Sequence, residues 1–286
     1  MNVAPDTDRY LVDAVLEYEA DQPSWIQTMR LALLWRLDRL FPPDPGAYLN
    51  PSAQTQREMN LADGRAGQYL AEIGSHDVDV LDFGCGWGGE TLWLAARVRS
   101  VVGADIDRGA IGQANRAAAA AEVANCRFIQ TQTGELPLPD RSFDAVFSTN
   151  TFEHVMDLDT AFRELFRVLR PGGVVLSRFG PLFFSPQGYH LYWACQVPYA
   201  HLLCGLDAVL ALRNARCYTP RAAACWQELG LNGLRYPDYK RSAAAAGFNL
   251  DRFERVPVRK LRWLAAAPGI GDLLTFGIDC RLCRPH

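Results

Sequence analysis

Asp82, Gly84, Gly86, Gly88 and Gly89 follow one another closely at the end of the apolar run Val80-Leu81-Asp82-Phe83. The pattern is a buried strand that ends in an acid, turns through glycines and enters a helix at Glu90-Thr91-Leu92. Glycine lets the backbone turn sharply and lets a ligand approach with no Cβ in the way. The first turn of the helix offers N–H groups that have no partner within it. These residue types in this order point to a nucleotide-like cofactor site. Cys85 lies inside the loop, where its backbone matters more than its sulfur.

Two ligand chemistries fit the glycines. Gly84-x-Gly86-x-x-Gly89 satisfies the dinucleotide fingerprint, and Asp105, 21 residues after Gly84, stands where a ribose-binding acid is expected. Asp82 discriminates between them. A carboxylate there suits a ligand that carries an ammonium group and repels a pyrophosphate. Gly88 also fills a slot that the dinucleotide pattern leaves open. The resulting Asp-x-Gly-x-Gly-x-Gly resembles motif I of the class I S-adenosylmethionine-dependent methyltransferases.

The downstream order extends the resemblance. Residues 100–107 read as a second strand ending in Asp105, 109–123 as an alanine-rich helix, and 127–130 as a third strand. Leu136-Pro137-Leu138-Pro139-Asp140-Arg141-Ser142-Phe143-Asp144 looks like the family's Leu-Pro-x-x-Asp-x-Ser-Phe-Asp signature and leads into a fourth strand at 145–148. A helix is predicted over 159–169, stopped by the turn chemistry of Arg170-Pro171-Gly172-Gly173, with a fifth strand at 174–177. A last helix at 239–247 and strands at 248–256 and 275–283 complete the series. This order is similar to the ubiquinone-biosynthesis-like small-molecule branch of the family.

The resemblance implies an α/β fold: a Rossmann-like, seven-stranded, mostly parallel sheet with helices on both faces. It implies an N-terminal helical segment or lid (1–75), a cofactor-binding core (76–180), a substrate-capping insertion after strand five (181–235) and a C-terminal completion of the sheet (236–286). S-adenosylmethionine is the implied cofactor, with S-adenosylhomocysteine as product. Asp82 is then expected near the methionine amino group, Gly84, Cys85, Gly86 and Gly88 under the ligand, and Asp105 at the ribose hydroxyls. Ile106 is expected on the adenine and Asn150 near the methionine portion. The family often places Asp where Gln132 stands. The Gln132 amide oxygen can still accept a hydrogen bond, but as a neutral and weaker partner. A one-residue shift in alignment would put Thr131 or Thr133 there.

The acceptor is expected under the insertion, because ligands bind beyond the carboxyl ends of the strands in open α/β sheets. The stretch from Gly180 is crowded with aromatics, and Tyr189, Tyr192, Trp193 and Tyr199 are candidate acceptor contacts. A sulfonium is already activated, so orientation and desolvation can supply much of the rate. A base is needed where the acceptor must lose a proton, and His190, His201 and His154 are the candidates. Each reads equally well as a packed or loop-holding histidine. Residues 10–40 read as helices whose apolar face includes Leu31, Leu34 and Trp35.

Composition narrows the alternatives. The 286 residues carry a net charge of −3 and are 49% hydrophobic. This is a chain with a sizeable core and no basic footprint for nucleic acid. Lysine occurs only at Lys240 and Lys260. No apolar run opens the chain and none approaches membrane-span length, so a cytoplasmic location without stable membrane insertion is expected. The eight cysteines are then expected as reduced thiols. Cys280 and Cys283 fall three apart in a predicted strand, on opposite faces, which argues against a metal site. Other readings keep the same residues: a nicotinamide-dependent oxidoreductase, a rearrangement catalyst that uses the cofactor's charge, or a cofactor-binding partner without turnover. The acceptor's identity and the oligomeric state are not legible.

Overall fold

A computed structural model describes residues 25–42, 51–132, 135–191, 194–216, 223–258 and 270–286. Helices α1 (Trp25–Asp38) and α2 (Pro51–Ile73) precede the sheet. Then come β1 (Asp79–Phe83), α3 (Gly89–Ala95), β2 (Ser100–Asp105), α4 (Arg108–Ala120), β3 (Cys126–Gln130), β4 (Phe143–Thr149), α5 (Leu158–Val168) and β5 (Leu169–Phe179). The segment after β5 carries α6 (Ala200–Leu203) and α7 (Gly205–Arg216). The helix α8 (Tyr236–Ala245) and strands β6 (Asn249–Pro257) and β7 (Thr275–Cys283) close the order. The seven strands lie as β3-β2-β1-β4-β5-β7-β6. Only β7 runs against its neighbours. This is the seven-stranded, mostly parallel architecture with an N-terminal helical segment and an insertion after β5.

A parallel sheet must be covered on both faces, and the strands show how. Leu81, Val102, Val146 and Val175 enter one apolar cluster, with Phe162 and Leu165 of α5 and Tyr239 of α8. Their neighbours Val80, Val101, Ala145, Phe147, Val174 and Leu176 enter another, with Ala66, Tyr69 and Leu70 of α2 and Leu94 of α3. Successive strand residues point to opposite faces, so each short apolar run feeds two cores. The same alternation separates Cys280, in the first cluster, from Cys283, which packs against the second. Among the described residues, no helix is long and apolar enough to cross a membrane.

Arg167 fixes the segment before β4. Its guanidinium donates to the carbonyls of Leu136 and Leu138 and to the Glu164 and Asp140 carboxylates. Leu136 and Leu138 are thereby held in the core.

One expectation is corrected. Arg170-Pro171-Gly172-Gly173 is not a turn after the helix but the start of β5, which begins at Leu169. Pro171 disfavours helical backbone at Arg170, and Leu169 is already extended. Gly172 N–H donates to Arg284 O, and Arg284 N–H donates to Gly173 O, so the C-terminal tail pairs with the segment. The pairing of β4 with β5 shifts register between Phe143 and Ala145 to accommodate it. The last helix also starts earlier than expected, at Tyr236, where the Asp238 carboxylate accepts from Arg235 N–H.

The insertion has its own core. Leu31 and Leu34 of α1 pack with Tyr189, Cys204, Ala208, Val209 and Leu212, and Asp38 pairs with Arg216 of α7. His201 is buried between Phe183, Tyr189 and Trp226, with ring centroids 5.0, 5.3 and 5.8 Å away. Its Nε2–H donates to Phe183 O. Burial pushes its pKa down to about 4.

Two outcomes follow from this packing. Phe162, fully buried and stacked on Phe152 at 4.9 Å, should cost about 3–5 kcal/mol when replaced by alanine, read from urea unfolding. A loss under about 1 kcal/mol would contradict the packing described. The unfolded chain takes a proton at His201 near pH 6.5 and the folded chain only near 4. The wild type should therefore lose stability, relative to His201→Phe, by up to about 1.4 kcal/mol per pH unit as pH falls through that window. Parallel stability curves for the two proteins would place His201 in contact with solvent.

Candidate active site

The chain leaves β1 for β2 on one side of the sheet and reaches β4 on the other, so the carboxyl ends of β1 and β4 flank a topological switch point. A cavity of about 510 Å3 opens there. Its floor is the glycine loop. Gly84 has a φ of 78°, and a Cβ on it would stand 2.2 Å from the Thr151 side chain. Gly88 also has a positive φ, of 81°, and a Cβ there would meet Ala114 at 2.6 Å. Gly88 therefore supports the loop from behind, while Gly84, Cys85 and Gly86 line the cavity. Burial pushes the Cys85 thiol well up, so it stays protonated.

Asp105 ends β2 at the cavity wall. Gly86 N–H donates to its Oδ2 and Asp107 N–H to its Oδ1, both at 2.9 Å. The carboxylate is thus oriented by two backbone amides and keeps acceptor capacity on both oxygens. Ile106 lies beside it, 62% exposed. Thr131 and Gln132 also line the cavity, whereas Thr133 lies outside the described residues. Asn150, with a φ of 52°, follows β4 into the lining and donates its N–H to Arg178 O.

Asp82, on β1, is buried and accepts from the Thr91 hydroxyl at 2.5 Å. Glu90, in the first turn of α3, accepts from the Thr149 hydroxyl at 3.2 Å. Burial pushes both carboxyls up, and the charge on Glu90 raises Asp82 further. The adjoining wall is α2, which presents Arg57, Glu58, Leu61 and Arg65. These positions share one helical face. Glu58 Oε2 accepts from Gly89 N–H at 3.1 Å, so a carboxylate already sits on the first amide of α3.

Of the candidate bases, only His154 lines the cavity. Its Nδ1 lies 2.7 Å from Gly230 O. A carbonyl only accepts, so Nδ1 carries the hydrogen and Nε2 keeps a lone pair. His190 packs edge-on against His154, with centroids 4.6 Å apart, and donates from Nε2 to Pro181 O. Burial, then the neighbouring His154, hold its pKa at about 4. His190 and His201 are not in the cavity lining.

Two of the expected aromatic contacts are likewise turned elsewhere. The Tyr189 hydroxyl donates to Cys195 O and Val197 O in the insertion's core, and Tyr199 donates to Leu273 O. Their hydroxyls satisfy backbone carbonyls, and neither residue lines the cavity. Tyr192 and Trp193 lie outside the described residues. The sequence reading missed the α2 wall, Glu90, Thr149 and the pair Val155-Met156, all of which line the cavity. The four-residue spacing of Arg57, Leu61 and Arg65 was the legible signal for α2. An acid directly after the glycines was the signal for Glu90.

Comparison with known proteins agrees with this geometry. Residues 81–177 match the model of the family described as "Methyltransferase domain". A probable S-adenosylmethionine-dependent methyltransferase of Mycolicibacterium smegmatis is 38% identical over 109 residues, which cover 38% of this chain and 40% of that protein. A demethylmenaquinone methyltransferase of Symbiobacterium thermophilum is 32% identical over 126 residues, 42% of this chain and 50% of that one. A fatty-acid O-methyltransferase of Mycolicibacterium smegmatis is 35% identical over 113 residues, 38% and 40% of the two chains. The matched part thus spans half or less of these relatives' length.

Among solved structures, a putative sarcosine dimethylglycine methyltransferase from Galdieria sulphuraria superposes with a TM-score of 0.54 at 17% identity, covering 80% of this chain and 86% of that one. The cyclase SpnF superposes with a TM-score of 0.52 at 19% identity, covering 80% and 81%. At that identity the likeness speaks for the fold alone. The chain has the fold of the class I S-adenosylmethionine-dependent methyltransferases, and its residues 81–177 match their methyltransferase-domain family.

Proposed function

We propose that the cavity binds S-adenosylmethionine and that the chain transfers its methyl group to a small, partly apolar acceptor. The observation that carries this reading is the placement of carboxylates around the glycine loop. A pyrophosphate would need the amides at the start of α3. There Glu58 already accepts from Gly89 N–H, and Asp82 and Glu90 stand in the adjoining wall. Such a wall repels a dinucleotide and favours a ligand with an ammonium and a sulfonium.

In this reading Asp105 accepts the ribose hydroxyls, Ile106 covers the adenine, and Thr131 or Gln132 meets the adenine edge. Asp82 faces the amino group, with Asn150 near the methionine chain. Gly84 lets the loop at the cavity floor pass directly against Thr151, because no Cβ fits there. When bound, the sulfonium supplies an activated methyl group, and the protein's part is to orient the acceptor and exclude water. Leu61, Val155 and Met156 supply apolar walls. His154, with Nε2 as acceptor, is the base where the acceptor must lose a proton, and His190 holds its ring in place.

The described parts of 1–75 and 181–235 serve as cover for the acceptor beside the core 76–180, and the strands within 236–286 complete the sheet. The names of two relatives, which act on demethylmenaquinone and on fatty acids, support an apolar acceptor, in keeping with the ubiquinone-biosynthesis-like branch.

Calorimetric titration tests the cofactor assignment. S-adenosylmethionine and S-adenosylhomocysteine should bind with micromolar affinity and NADH should not. Asp105→Ala removes two hydrogen bonds to a charged acceptor and should weaken binding by about 100- to 10,000-fold. Binding of NADH alone would overturn the assignment.

A further inference from the structure

Asp82 and Glu90 come from different elements, β1 and α3, and meet at one wall of the cavity. They are 2% and 9% exposed. Each accepts a hydrogen bond from one neutral hydroxyl, of Thr91 and of Thr149. Among the described residues, neither forms an ion pair. The charged groups around them are Glu58 and Arg65 from α2 and Asp105 from β2, with Cys85 as the loop's titratable group. Tyr69 of α2 faces Glu90 from the core side. Arg57, Glu135 and His154 complete the titratable and charged lining. Among the described residues, Arg65 is the cation whose charge acts on Glu90, and acids outnumber it around the pair.

Two carboxylates in a dry wall cannot both stay ionised without a cation, since burial and mutual repulsion both favour the neutral acid. Burial and mutual repulsion therefore favour retention of a proton by the pair while the cavity is empty. The cavity lining supplies the space for a compensating cation. We infer that Asp82 and Glu90 together form the receptor for the ammonium group of the cofactor's amino-acid end, and that the entering ammonium drives one proton from the pair into solvent. Glu90 thereby becomes a cofactor-positioning residue alongside Asp82. This rests on the cofactor reading above.

Binding linked to loss of one proton strengthens as pH rises, by up to tenfold per pH unit below the pair's upper titration. A ligand without the ammonium gains nothing from that rise. Both the proton count and the pH slope therefore belong to the amino-acid end of the ligand and not to its adenosine.

Calorimetry at pH 6.5 separates the contributions, because an ordinary α-amino group (pKa about 7.7–8.0) is then protonated. Titrations run in phosphate and in bis-Tris, whose ionisation enthalpies differ, count the protons exchanged. Wild-type protein should release about one proton per S-adenosylhomocysteine and none with 5′-methylthioadenosine, which lacks the amino-acid end. Glu90→Gln should keep its affinity for 5′-methylthioadenosine, release clearly less proton than the wild type with S-adenosylhomocysteine, and show a shallower pH dependence, because Asp82 stays buried but loses the charge of its neighbour.

Binding of S-adenosylhomocysteine by the wild type without proton release would overturn the inference while leaving the cofactor reading standing. Unchanged release in Glu90→Gln would overturn it too, by showing that Glu90 has no part in holding the proton. Should Glu90→Gln fail to bind 5′-methylthioadenosine, the wild-type proton count decides alone. No binding of S-adenosylhomocysteine by the wild type would overturn the cofactor reading and this inference together.

Discussion

Gly84 turns the chain out of β1 directly against Thr151, in a space that no other side chain could share. The contact is a junction of three strands. Gly84 N–H and Cys85 N–H both donate to Ala104 O at the end of β2. From β4 and the residues after it, the Ser148 and Thr151 hydroxyls donate to Phe83 O. A side chain at position 84 would push the glycine loop away from β4, and with it Asp105, whose carboxylate is oriented by Gly86 N–H. The rest of the cavity is arranged around this close approach. The amide donors, Asp105 and the chain beyond β4 keep their spacing because the backbone there has no room to shift.

The two ends of the sheet treat charge in opposite ways. At the amino end, Asp79 and Asp144 are bracketed by Arg99 and Arg170. The hydrogen bonds from Arg99 hold the Asp79 carboxyl well below the usual range. At the carboxyl end, Asp82 and Glu90 are more deeply buried and, among the described residues, accept side-chain hydrogen bonds only from hydroxyls. Burying a carboxyl without an ion-pair partner is unfavourable, and the strands leave this unfavourable arrangement at the end where the cavity opens. Charge disposition therefore says more about the ligand than the fold does. Neighbours in fold include both a methyltransferase and a cyclase by name, as expected where one architecture carries many chemistries.

The aromatic insertion shows how composition alone misleads. A stretch rich in Tyr, Phe, Trp and His reads as a ligand wall, yet the same residues can bury one another. Tyr189 and His201 do the latter, joined by Phe183, Trp226 and the apolar face of α1. Tyrosine is satisfied inside a core once its hydroxyl finds a carbonyl. What separates the two uses is where the polar atoms end, and that depends on partners distant in sequence, such as Leu273 for Tyr199.

The sequence by itself determined the features that rest on short-range chemistry. The glycine loop after β1, the acid at Asp105 that ends β2, the order of strands and helices and the extent of β7 were all legible, because strand alternation and glycine turns are written within a few residues. Tertiary structure decided the rest. Pro171-Gly172-Gly173 carries a turn signature, yet it becomes strand because β7 and the tail at Arg284 supply the missing hydrogen-bond partners. Glu58 has no mark of a site residue until α2 lays it on Gly89 N–H. The three histidines are alike in sequence, and only packing turns His154 to the cavity, sets His190 behind it and seals His201 in the insertion. In each case the deciding partner lies many residues away, and burial and long-range pairing leave no local trace in the chain.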